Sequence, residues 1–174
     1  MVDNQTKEAA ARMKVEADEL RNKISKLEKF METDTFSQLL PFTRGLLKTQ
    51  HKTMVSYVIL LEQRKAIMLE ENASDFLFDF GTAITLLEAG MSVARDGWNG
   101  KGLFIIKQVP AHINKDIIPK MQSLPEYAKK LILESQGFID YTSQCLIYNT
   151  NTGRADSWVP SISDVFAKDW KLVL

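Results

Sequence analysis

The sequence predicts an α+β protein: an N-terminal α-helical hairpin followed by a small α+β domain with a mainly antiparallel sheet and short helices. Two shifts near Asn72 carry this expectation. Up to Leu69 apolar residues recur at alternating spacings of three and four, the period of a helix face, whereas beyond Asn72 short apolar runs alternate with turn residues. Glycine follows the same division, since only Gly45 precedes Asn72, and so do the three tryptophans, Trp98, Trp158 and Trp170, which all follow it. The expected organisation is a helical hairpin over residues 1–72, an oligomerisation arm or a self-contained helical unit, and a small α+β domain over residues 73–174 with an insertion at 110–137.

Ala10, Met13, Ala17, Leu20, Ile24, Leu27 and Met31 form one helical stripe, and the charged residues between them give that helix a solvated face. Thr35 and Gln38 read as a capping box that restarts the chain, and Pro41 as a kink or division. A second long helix is expected from Leu46 to about Leu69, with Leu47, Met54, Tyr57, Val58, Leu61 and Met68 near one face. Residues 80–89 form a short amphipathic helix, with Gly90 where a left-handed cap belongs. Short strands are expected at Val93–Arg95 and Leu103–Ile106. Within the insertion, Ser123 to Glu126 signals the start of a helix reaching about Ser135. The stretch from Phe138 to Tyr148 is rich in aromatic and β-branched residues and leads through an Asn-Thr-Asn-Thr-Gly turn into a strand ending near Trp158. Ser161 and Asp164 form a further capping box, and the last strand runs from Trp170 to Val173.

Composition narrows the function. The 174 residues carry 22 basic and 22 acidic side chains, so the chain lacks the basic footprint of a nucleic-acid polymer binder. Neither half is a charged tail, with 12 basic and 11 acidic groups in residues 1–72 and 10 and 11 in the remainder. A single cysteine, Cys145, closes no intramolecular disulfide and builds no zinc cluster, which suits a reducing compartment. No apolar run approaches the roughly 20 residues of a membrane span, and the first thirty residues are too charged for a signal peptide. No membrane association and no cofactor are expected.

Chemistry concentrates in two segments. In the first, Arg95-Asp-Gly-Trp-Asn-Gly-Lys-Gly102, glycines let backbone N–H groups approach an anion, and Arg95 and Lys101 neutralise phosphate. Trp98 offers a flat face to a base, and Asn99 a donor and an acceptor to a ribose or base edge. The glycine spacing matches neither a P-loop nor a dinucleotide fingerprint, and a structural hairpin loop with a core tryptophan accounts for the same residues. In the second segment, Trp158 to Asp164, Ser161 and Ser163 at a helix N-terminus suit phosphate or ribose, while a capped helix beside a buried tryptophan is the simpler alternative. His51 and His112 lie apart without metal-ligand spacing, and no Ser-His-Asp or Cys-His pairing is suggested, so binding is favoured over catalysis.

Taken together, Phe80-Gly-x-Ala-Ile, Leu87-Glu-Ala-Gly90, Val93-Ala-Arg-Asp-Gly-Trp-Asn-Gly-Lys-Gly102, Trp158-Val-Pro-Ser161, Ser163-Asp164 and Ala167-Lys-Asp-Trp170 resemble the phage Thoeris anti-defence protein 2 family over about residues 76–174. Residues 1–72 more weakly resemble short helical domains encoded by crAss-like gut phages. The stretch from Pro110 to Gly137 departs from the shortest family members.

The family resemblance implies a sponge in the cytoplasm of an infected bacterial host, which binds glycocyclic ADP-ribose, the second messenger of Thoeris immunity, and sequesters it unaltered. It also implies a homotetramer with pockets between subunits, and some members hold cyclic oligonucleotides at separate sites. Carried over by motif position, the ligand-binding candidates are Arg95, Trp98, Asn99, Gly100, Lys101, Trp158, Ser161, Ser163 and Asp164. Trp98 and Trp158 are assigned to the adenine, Asn99 and Asp164 to ribose or base hydrogen bonds, and Arg95 with Lys101 to the pyrophosphate. Two alternatives stand beside this one: an enzyme that cleaves such a messenger, and a phage interaction or assembly protein whose helical arm is the functional part.

Overall fold

In the computed structural model, whose described residues are 2–174, two helices of 28 residues each, α1 (Asn4–Met31) and α3 (Pro41–Met68), fold back on one another as an antiparallel hairpin. The Asp3 carboxylate starts α1 by accepting the Thr6 N–H at 2.8 Å. Between the long helices lies a single turn, α2 (Asp34–Ser37), capped by Thr33, whose hydroxyl accepts the Phe36 N–H at 3.2 Å. This corrects the expected Thr35–Gln38 box: Thr33 is the residue in extended backbone, and Gln38 falls at the far end of the turn. Pro41 divides the segment, one of its two expected roles, and opens α3 at a position where its missing N–H has no intrahelical partner to lose, so the helix starts at Pro41 and not at the expected Leu46.

The seam of the hairpin is the predicted three-and-four stripe. Met13 and Ala17 of α1 pack against Leu61 of α3, with Ala9 and Met68 at the flanks. Two cross-helix contacts reinforce it: Arg21 pairs with Glu62 at 2.8 Å, and the Tyr57 hydroxyl donates to Glu16. Leu60 packs against the core of the second half, and the buried Gln63 amide donates to the Ala73 carbonyl at 3.1 Å, so α3 is fastened to the sheet-bearing half of the chain.

Beyond the linker, five antiparallel strands form a sheet: β1 (Val93–Arg95), β2 (Leu103–Lys107), β5 (Cys145–Asn149), β6 (Arg154–Trp158) and β7 (Trp170–Leu172), in the order β6-β5-β2-β1-β7. Helix α4 (Phe80–Glu88), capped by Asp79 and closed at Gly90 as expected, packs on this sheet. Phe78, Ala83, Leu86, Leu87, Val93, Ile105 and Trp170 form the core between them. The final helix, α6 (Ile162–Val165), precedes β7 and carries the capping box between Ser161 and Asp164 that the spacing predicts. The fold is therefore α+β.

The insertion carries its own ribbon, β3 (Ala111–Ile113) with β4 (Ile139–Tyr141), and a helix, α5 (Glu126–Glu134). Two expectations are corrected here. Pro125, and not Ser123, stands at the N-cap of α5, and its ring has no polar atom to cap with; Glu126 accepts from Lys129 at 2.7 Å instead of reaching back toward Ser123. The apolar stretch 138–148 is two strands in two sheets; the break falls at Gln144, whose carbonyl accepts the Gln108 N–H at 2.7 Å where the ribbon leaves the main sheet.

Candidate functional site

Both motif segments end on one carboxylate. Asp164, 7% exposed, accepts Arg95 Nη1 at 2.8 Å and Trp98 Nε1 at 3.3 Å on Oδ1. Its Oδ2 accepts the Ser161 hydroxyl at 2.6 Å and the Ser161 N–H at 2.9 Å. Burial alone raises such a group; the Ser161 hydroxyl, the Arg95 guanidinium, the Ser161 N–H and the Trp98 indole outweigh it and bring the carboxyl down to about 2. Asp164 is thus a fixed anion at neutral pH, with both oxygens occupied by donors from the two segments.

Asp169, which no sequence motif singles out as a site residue, completes the arrangement. Its Oδ1 accepts Arg95 Nε at 2.9 Å, and its Oδ2 accepts the Gly97 N–H at 2.9 Å. Donating to Asp169 and then to Asp164 raises the Arg95 guanidinium further above its usual value, and the same Arg95 bond holds Asp169 below the ordinary carboxylate range. The anion cradled by the glycine loop is, at Gly97, the protein's own Asp169. A Cβ at Gly97 would stand 2.7 Å from that carboxylate oxygen, which is why the position has none. The sequence shows Asp169 only as a carboxylate directly before a core tryptophan, inside the Ala167-Lys-Asp-Trp170 stretch that resembles the family, and its partner is 74 residues away.

The far end of the loop is fastened to the β5–β6 turn. Asn151 Nδ2 donates to the Lys101 carbonyl at 2.8 Å, and the Thr150 N–H donates to the Gly102 carbonyl at 2.9 Å. Gly102 adopts a φ of +77°, with Thr150 Oγ1 2.2 Å from where a Cβ would sit. Between these anchors Asn99, Gly100 and Lys101 are exposed, and Lys101 makes no ion pair among the described residues.

Three indoles meet beneath the two segments. Trp98 lies 5.6 Å from Trp170 and 6.5 Å from Trp158, and Trp158 lies 6.1 Å from Trp170, all edge to face. Trp170 is fully buried and donates Nε1 to the Asp164 carbonyl at 3.0 Å, whereas Trp98 and Trp158 are half-buried. Ser161 and Ser163 are exposed, their hydroxyls 2.8 Å apart. Around them Val159, Ile162 and Phe166 present apolar side chains about four-fifths exposed.

The structure therefore gathers Arg95, Trp98, Trp158, Ser161 and Asp164 by direct contact, and places Asn99, Gly100, Lys101 and Ser163 at the surface of the same two segments. The two histidines lie elsewhere, His51 on α3 against Glu28 at 2.8 Å and His112 on β3 against Asp140 at 2.6 Å. A cleft of about 340 Å³ opens at another place, between α3, residues 77–81 and residues 165–168, and none of the nine candidates lines it. No described helix is long and apolar enough to cross a membrane.

Comparison with known proteins bears on these segments. Residues 78–173 match the family model of the Thoeris anti-defense 2-like domain. Residues 7–67 match the model of a second family, Sequestin. Among curated proteins, Thoeris anti-defense 2 of Bacillus phage SP01 is 30% identical over 99 residues, an alignment covering 54% of this chain and 92% of the phage protein.

Proposed function

Since the chain belongs to the Thoeris anti-defense 2-like family, we propose that it is a phage anti-defence protein that captures glycocyclic ADP-ribose and holds it without cleaving it. The observation that carries this is the double use of Asp164, which binds Arg95 and Trp98 of one motif segment and Ser161 of the other and so makes a single surface of both. The exposed groups on that surface, the Asn99 amide, the Lys101 ammonium and the Ser163 hydroxyl, are those a nucleotide's ribose and phosphates need.

On this reading the nine candidates fall into two kinds. Lys101 is the group for the pyrophosphate, and Asn99 and Ser163 supply hydrogen bonds, while the Ser161 hydroxyl, already bonded to Asp164, orients Ser163. Trp98 and Trp158 wall the base with the faces their mutual packing leaves open. Arg95 and Asp164 are positioning residues, because the charge of each is already engaged by protein partners. Gly100 lies in the same exposed stretch of the loop as Asn99 and Lys101.

Sequestration requires slow release. A nanomolar dissociation constant corresponds to roughly 12 kcal/mol, and a cyclic ligand brings much of its ordering cost already met. Loops fixed at both ends contribute from the protein side. The exposed Val159 and Ile162 beside the site support closure of the pocket by a second copy, in a homotetramer. Some cyclic oligonucleotides are further ligands of the assembly.

Calorimetric titration of the protein with glycocyclic ADP-ribose, alongside native mass measurement, tests this. Tight binding to a tetramer with Lys101→Glu weakened at least tenfold supports it; absence of binding by the unaltered protein refutes it.

A further inference from the structure

The cleft of about 340 Å³ between the two halves falls within the roughly 300–1,000 Å³ of small-molecule sites, and its lining is chemically divided. Val55 and Ile59 of α3 face Leu77, Phe80 and Val165 from the second half, giving apolar walls. The Phe80 ring is held in place by Trp170, with centroids 5.5 Å apart. Lys52 of α3 and Lys168 after α6 line the same cleft, and among the described residues neither ammonium has a carboxylate within ion-pair reach. The other charged groups there have partners: His51 turns to Glu28 at 2.8 Å, and Asp79 Oδ1 caps α4 through the Thr82 N–H at 3.0 Å.

We propose that this cleft is a second ligand site, separate from the motif loops, for a small organic phosphate carrying a flat aromatic group, of the size of a mononucleotide. The apolar walls and the fixed Phe80 ring take the aromatic part, which gains from leaving water. Lys52 and Lys168, contributed from the two halves, take the phosphate, so an occupant bridges α3 to the sheet-bearing half. Two cations against the one carboxylate of Asp79 select an anion over a neutral or cationic aromatic.

Adenosine 5′-monophosphate is the probe, titrated calorimetrically into the full chain, with inorganic phosphate and adenosine in parallel. The expected result is one site per chain, tighter for the nucleotide than for either fragment. Replacement of both surface lysines, Lys52→Glu with Lys168→Glu, weakens it at least tenfold, as does filling the cleft by Val55→Trp, while Lys101→Glu on the motif loop leaves it within twofold. The proposal is overturned if the nucleotide does not bind at millimolar concentration, if inorganic phosphate binds as tightly, if the lysine pair has no effect, or if Lys101→Glu abolishes binding. The last outcome would place the nucleotide at the motif loops. Failure of the cleft leaves messenger capture by those loops standing, since each site is read by its own variants.

Discussion

Arg95 Nη1 lies 2.8 Å from Asp164 Oδ1, joining the end of β1 to the capped turn that begins α6 across 69 residues of chain. The pair is mostly shielded from solvent, with side chains 18% and 11% exposed. Removing one member strands the other, which costs more than the intact pair contributes. Arg95→Met is therefore expected to destabilise the protein by about 2–4 kcal/mol in urea unfolding, and in a double-mutant cycle the loss shrinks when Asp164→Asn is already present. Additive losses would show that the two groups do not depend on one another.

Lys101 lies at the opposite extreme. Its ammonium is exposed and makes no ion pair among the described residues, so Lys101→Glu is expected to change stability by less than about 0.5 kcal/mol. Messenger affinity falls at least tenfold in the same variant. Calorimetry and urea unfolding on one preparation separate these effects, and an unaltered affinity would remove Lys101 from the site.

These two residues show how far sequence reasoning reaches. Arg95 and Lys101 look alike in the motif, two cations near glycines, and both read as phosphate ligands. What distinguishes them is Asp169, brought to Arg95 by the pairing of β1 with β7, a relationship carried by the fold and by nothing local. The Ser161–Asp164 cap is legible because its partners lie three residues apart, and the hairpin because its stripe repeats at helical spacing. The corner at Thr33 is not, because Thr33 and Thr35 offer the same hydroxyl, and the backbone at Thr33, extended where the helix begins, decides which one caps. The cleft is invisible in sequence, since its walls come from three separated segments.

Acid probes the same carboxylate. The Asp164 carboxyl sits at about 2 in the folded protein against an ordinary 3.8. A lowered folded-state value means that its contribution is full above the unfolded value and is lost as pH falls through the folded one. The difference amounts to roughly 2 kcal/mol. Stability measured by urea unfolding is therefore expected to fall between about pH 4 and pH 2, and Asp164→Asn to flatten that part of the profile. A profile identical in the variant would contradict the assignment.

Gly97 tests how closely the loop is held. A methyl group there meets Asp169 Oδ2 at 2.7 Å, so Gly97→Ala must displace a carboxylate that also holds Arg95. A loss of about 1–3 kcal/mol is expected, together with weaker messenger binding, because the loop carrying Asn99 and Lys101 shifts with it. Unchanged melting and binding would mean that the loop is not anchored by this contact.

Fate of the ligand decides the central claim. The protein is incubated with glycocyclic ADP-ribose at one molecule per site, freed of unbound ligand, denatured by heat, and the released nucleotide is identified by mass and chromatographic retention. Sequestration predicts that the messenger comes back intact and in an amount close to that captured. Recovery of a hydrolysed product, or no retained ligand at all, would contradict it.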